Sequence, residues 1–196
     1  MMNAVIAWFG WGSGVGAVAA VSAIMTVAVI LAPVVIGLVL YALERLQIEL
    51  IGLFNRDLAY LWVNILTFPG TFIHEMSHVG FGILTGAEID EVCMFESDDG
   101  RVGHVGFSNR GPWPIQALQN TLGSAAPTIV GLGLGYLLIK HLLTAELSVW
   151  GYIGYGYLAF CLIDHSAMSD ADLGHYFAGV WIFVLPLFLV FFVLGM

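Results

Sequence analysis

Long apolar runs separated by short polar stretches dominate the chain. Residues 16 to 42 are almost continuous Ala, Val, Ile and Leu, which predicts a membrane-crossing helix, with Pro33 expected to bend it. From 43 to 60 the pattern changes. Glu44, Arg45, Glu49, Arg56 and Asp57 fall among apolar residues spaced three or four apart, as in an amphipathic helix lying at the interface. Residues 61 to 85 predict a second hydrophobic helix, entered past Pro69 and Gly70 and stopped by Gly86. Between 87 and 111, Ile89, Val92 and Phe95 alternate with polar residues, a polar turn covers Ser97 to Gly100, and Val102, Val105 and Phe107 follow. That is the pattern of a small β-hairpin. Three more helices are predicted over 115–139, 147–166 and 173–195. The first of them contains Pro127, and its Gly131, Gly133 and Gly135 suit close helix contact.

The pattern predicts an all-α integral membrane bundle of five to six transmembrane helices, with the hairpin between the second hydrophobic helix and the next, in one domain over 1–196. Composition agrees: 60% of the residues are hydrophobic and 10% charged, with a mean hydropathy of +0.94, outside the range of a water-soluble domain. A barrel would instead show short alternating segments. The N-terminal apolar stretch has no basic segment before it and runs past Leu40, too long for a signal peptide, so it is expected to be retained. The expected location is multi-pass in the plasma membrane of a prokaryote.

The net charge is -9, from 14 acids against five basic residues. That balance offers no basic surface for nucleic acid. Cys93 and Cys161 fall in different elements and give no disulfide framework.

One short motif carries chemistry. In His74-Glu75-Met76-Ser77-His78 the histidines stand at i and i+4, so on a helix they share a face and can bind one Zn²⁺ per chain. Glu75 then falls beside the metal, placed to take a proton from a metal-activated water that attacks a peptide carbonyl. A carboxylate and two imidazoles in one hydrophobic helix are expensive in lipid unless they face the interior and find partners. A catalytic zinc keeps one position open, so one further protein ligand is needed. The obvious source is the cluster Asp164, His165, Asp170, Asp172 and His175 around the end of one helix and the start of the next. Metal geometry alone does not choose among them.

The HEMSH helix ending in LTG, the hairpin segments VCMF and GRVGHV, the helix with SAAPTIVG, and a late aspartate near a helix start resemble the site-2 protease class of intramembrane zinc metalloproteases. The likeness covers about residues 65 to 175. The resemblance implies His74 and His78 as ligands, Glu75 as base, and an aspartate on a later helix as third ligand. The common LDG or NPDG setting of that aspartate is absent, since LIDH at 162 to 165 lacks the glycine. A second pattern in such proteins, proline-serine-x-x-aspartate-leucine, resembles Ser169-Asp170-Ala171-Asp172-Leu173, with Met168 in place of proline. On that match Asp172 is the third ligand, with Asp164 and Asp170 as alternatives. Ser169 would cap the helix and set Asp172 in its first turn.

Other polar residues carry weaker expectations. His104 in the hairpin could meet substrate or simply be solvated. Asn120, Ser124 and Thr128 stand at i, i+4 and i+8, suited to helix–helix hydrogen bonds or to an oxyanion contact. His165 and His175 could orient ligands, and the hairpin could bind an extended substrate by strand addition. The expected partners are a membrane protein or peptide substrate and the lipid bilayer, with homo-oligomerisation open. Two competing readings are a non-proteolytic membrane metal-binding scaffold and a cation transporter. The latter is expected to show inverted repeats, which the sequence lacks.

Overall fold

The computed structural model describes residues 14–94 and 103–195. The first helix, α1, is Val15–Phe54, 40 residues without a break, with Pro33 inside it. The amphipathic segment expected as one interfacial helix over 43–60 is therefore divided: residues 43–54 continue α1, and Arg56 and Asp57 fall in the next helix. Leu, Glu, Arg and Gln crowd residues 43 to 50, all strong helix formers, so nothing there stops the helix. It stops at Asn55, which is extended (φ -161°, ψ 122°) and whose side chain accepts from the backbone N–H groups of Asp57 and Leu58 to start α2, Arg56–Leu61.

Where the sequence predicts one helix over 61–85, the chain first makes a π-helical turn, Trp62–Leu66. Pro69 explains it: a proline ring clashes with the carbonyl four residues back and donates nothing to it. Thr67 closes the wide turn, its N–H reaching the Trp62 carbonyl at 3.0 Å and its hydroxyl lying 3.0 Å from the carbonyls of Trp62 and Val63. Helix α3 is Phe68–Thr85, with Pro69 in the first turn, where its missing N–H costs nothing. Gly86, at φ 79°, ends it in the left-handed conformation that a side chain would disfavour.

Strands β1, Glu88–Cys93, and β2, His104–Ser108, form the expected antiparallel hairpin. Ile89 faces Phe107 and Val92 faces Val105, with an irregularity between Ile89 and Glu91. The expected turn at Ser97–Gly100, with Phe95 and Val102, lies outside the described residues. Buried Gln119 ties the hairpin's exit to α3: it accepts from the Arg110 N–H at 2.9 Å and donates to the Thr85 carbonyl at 3.0 Å.

Helix α4, Trp113–Thr144, is longer at both ends than expected and carries Pro127 inside it. Helix α5 is Val149–Asp164. Of the three glycines expected to make a contact face on α4, Gly131 and Gly135 do so. A methyl on Gly131 would sit 2.9 Å from the Leu162 carbonyl oxygen, and one on Gly135 would sit 2.7 Å from Ile163 Cγ1. Gly133 meets nothing within 4 Å, because two residues turn a helix to its opposite side. After the loop 165–169 comes α6, Asp170–Gly179, starting three residues earlier than predicted. A 3₁₀ turn, Val180–Phe183, then leads into α7, Val184–Gly195.

Among the described residues, three helical segments are long and apolar enough to cross a membrane: α1, α4, and the run Asp170–Gly195. Val18 and Val21 of α1 pack with Phe192 of α7, while Val34, Ala125, Met168, Tyr176 and Val180 form a core where α1, α4 and α6 meet.

Candidate metal centre

The i, i+4 spacing on α3 brings His74 and His78 together with their Nε2 atoms 3.2 Å apart. Each ring is pinned from behind. His74 Nδ1 is 2.7 Å from the carbonyl oxygen of His165 in the α5–α6 loop, and His78 Nδ1 is 3.0 Å from that of Gly123 in α4. A carbonyl only accepts, so both Nδ1 atoms carry the proton and both Nε2 atoms present lone pairs. Two lone pairs at 3.2 Å repel unless a cation lies between them.

Asp172 completes the group. Ser169 caps α6 in a full capping box: its hydroxyl accepts from the Asp172 N–H at 3.1 Å, while Asp172 Oδ2 accepts from the Ser169 N–H at 2.9 Å and from its hydroxyl at 2.7 Å. With Oδ2 held, Oδ1 turns to the histidines and lies 3.5 Å from His78 Nε2. Ligand atoms of His74, His78 and Asp172 all lie within 4.8 Å of one another. Bonds of 2.0 to 2.2 Å at tetrahedral angles place ligand atoms roughly 3.3 to 3.6 Å apart, so the measured 3.2 and 3.5 Å suit a zinc-sized ion. Two imidazoles and one carboxylate also form a donor set that zinc accepts.

The group faces a cavity of about 460 Å³ lined in part by Glu75, Gly103, Asp172, Tyr41 and Arg45. Glu75 is buried, only 8% exposed. Gly103, at the foot of β2, lies directly on it: a methyl there would be 3.1 Å from Glu75 Cγ and 3.2 Å from Thr71 Cγ2, and Gly103 stands at φ 84°. The hairpin therefore packs against the side of α3 that carries the carboxylate. Gly123 lies ten residues into α4, so its carbonyl holds His78 about 15 Å along the axis from Trp113.

The other sequence-predicted residues divide into three groups. Asp164, an alternative ligand, is not part of the metal group: its Oδ1 accepts from Gln47 of α1 at 2.6 Å, because it ends α5 on the side facing α1. Asp170 lines the cavity but is exposed and outside the ligand group. His104 and His175 also line the cavity and are exposed, His104 with its Nε2 3.8 Å from Glu91 and His175 against the Phe107 ring. Asn120, expected as a possible substrate contact, accepts from Asn109 Nδ2 at 2.7 Å. Thr128 bonds not to another helix but to the α5–α6 loop, donating to the Ser166 carbonyl at 2.8 Å, and Ser124 is buried without a hydrogen-bond partner among the described residues. His165 orients His74 through its backbone carbonyl, while its ring Nε2 is 2.7 Å from the Thr67 hydroxyl.

Five participants escape sequence reasoning. The carbonyls of His165 and Gly123 leave no residue-type signal. Gly103 stands inside the GRVGHV segment without marking its role, Tyr41 belongs to the stretch expected to cross the membrane, and Arg45 to the one expected at the interface. No family model matches the chain, and no curated protein or solved structure matches it either.

Proposed function

We propose that this chain is an intramembrane zinc metalloprotease of the site-2 protease class, hydrolysing peptide bonds of membrane-associated substrates. The observation that carries the reading is the pair of imidazoles whose lone pairs converge at 3.2 Å while both Nδ1 atoms are committed to carbonyls, with the Asp172 carboxylate turned to the same point. His74, His78 and Asp172 are the ligands, one ion per chain. Bound zinc supplies Lewis acidity, polarising a carbonyl and acidifying water.

Glu75 does the proton work. It is the buried carboxylate on the cavity wall next to the ligand pair that makes no hydrogen bond to them among the described residues. It accepts the proton of the attacking water and returns it to the departing amine nitrogen. Gly103 packs on its stem and limits its rotamers, which keeps the carboxylate aimed at the reacting centre. The hairpin beside the cavity suits an extended substrate, since a helical peptide bond is shielded by its own hydrogen bonds. In this reading α3 and α5 also lie within the bilayer between the three longer helices, giving five crossings in a multi-pass protein of a prokaryotic plasma membrane.

The test is zinc content and cleavage of a single-span membrane substrate by the purified protein, wild type against Glu75→Gln. The expected result is equal zinc in both and turnover lost in the variant. Full turnover in Glu75→Gln refutes the base assignment, and a zinc-free wild type refutes the reading as a whole.

A further inference from the structure

Among the described residues that line the cavity, Arg45 is the one cation of fixed charge, and nothing in the proposed chemistry uses it. Gly37, Tyr41 and Arg45 follow one another at four-residue steps on one face of α1. Gly37 lets that face approach closely: a methyl there would be 2.8 Å from Met168 Cγ and 3.2 Å from the Met168 nitrogen. The next two residues in the row then reach the cavity, facing Ser169 to Asp172 and the metal group. Tyr41 holds the guanidinium in place. Arg45 Nε donates to the Tyr41 hydroxyl at 3.0 Å, and the guanidinium carbon lies 5.1 Å from the centre of the Tyr41 ring. Among the described residues no carboxylate lies within 4.0 Å of it. Its terminal N–H groups are left as a fork of donors on the cavity wall, the geometry that takes a carboxylate through two parallel bonds. Arg45 is exposed, so this fork is open to a partner entering the cavity.

Resting on the proteolytic reading, we propose that Arg45 is the specificity-determining residue of this cavity and pairs with an aspartate or glutamate side chain of the substrate at or beside the cleaved bond. Tyr41 is its positioning residue.

The test uses the full chain with zinc, carrying Glu75→Gln so that peptides bind without turnover, in nanodiscs of neutral phosphatidylcholine. Three extended peptides, identical except for Glu, Gln or Lys at the central position, are titrated by fluorescence anisotropy. The Glu peptide is expected to bind roughly tenfold more tightly than the Gln peptide, the yield of one charge-assisted fork. Adding Arg45→Gln is expected to bring that ratio to about one, and Arg45→Glu to turn the preference to the Lys peptide. Equal affinities for all three peptides, or a ratio that survives Arg45→Gln, overturns the proposal. So does a ratio that disappears when anionic phosphatidylglycerol replaces the neutral lipid, since a headgroup then owns the arginine. Turnover by the protein with Glu75 intact is measured on the same peptides. A charge preference in binding with no cleavage refutes the proteolytic reading while leaving Arg45 as an anion site, so the two failures are distinguishable.

Discussion

Ser169 is where the geometry makes its sharpest demand. Its hydroxyl caps α6 and also fixes the carboxylate of Asp172, one of two donors on Oδ2. Ser169→Ala removes both functions. Loss of the cap costs about 1 kcal/mol of stability for Ala but only a few tenths for Gly. Loss of a hydrogen bond to a charged acceptor costs about 1.5 to 3 kcal/mol, and at about 1.4 kcal/mol per decade this is roughly a 10- to 100-fold fall in metal affinity. The two variants therefore separate the effects. Zinc affinity, measured by competition with a chromophoric chelator in detergent, is expected to fall by that factor in both Ser169→Ala and Ser169→Gly. Metal-free thermal stability is expected to fall appreciably in the alanine variant alone. Unchanged zinc affinity in both would refute the assignment of Asp172 as a ligand. A loss confined to Ser169→Ala would mean that helix capping, and not carboxylate orientation, governs the site.

Three further outcomes follow from the same geometry. His74→Ala and Asp172→Ala are expected to lose stoichiometric zinc on elemental analysis, whereas Asp164→Ala, which breaks only the bond from Gln47, is expected to retain it. Gly103→Ala forces a side chain into a left-handed φ, at about 1 to 2 kcal/mol, against Glu75. It should keep its zinc yet lose about tenfold or more in turnover, and wild-type kinetics would show that the hairpin does not set the base. Gly70→Ala places a methyl 2.1 Å from the Cys161 carbonyl oxygen and 2.6 Å from the His165 ring. Overpacking of this kind costs about 1 to 3 kcal/mol or more. Thermal melts should show a drop of several degrees, with weaker zinc binding because the carbonyl that holds His74 moves as well.

The metal helix was legible because its chemistry is local: five consecutive residues and the pitch of a helix determine that two imidazoles meet. The hairpin and the cap at Ser169 were legible for the same reason, each resting on contacts a few residues apart. The choice of Asp172 over Asp164 was not available from spacing. Both lie near helix ends, and they differ in which neighbour each end faces, a property of how α1 and α3 flank α5. The continuity of α1 was also hidden. Charged residues at i and i+4 read as an interfacial helix, but a charge pattern does not break a backbone, and only Asn55 does. Arg45 accordingly reads from sequence as part of an interfacial segment, with no sign that it lines the cavity. The carbonyls of Gly123 and His165 are the deepest omission, because any residue offers the same oxygen and only tertiary packing selects which one.

The length of α1 has a consequence for the cavity. Forty residues make a rod of about 60 Å, twice the thickness of a typical hydrocarbon core. If Val15 sits at one boundary, the steepest common lean, about 40°, brings Tyr41 just to the opposite one. Lipids with longer tails then draw the Tyr41–Arg45 wall toward oil, and shorter tails release it toward water. Acyl-chain length would thus act on the part of the molecule proposed to meet the substrate's charge, and turnover in phosphatidylcholines of graded chain length tests it.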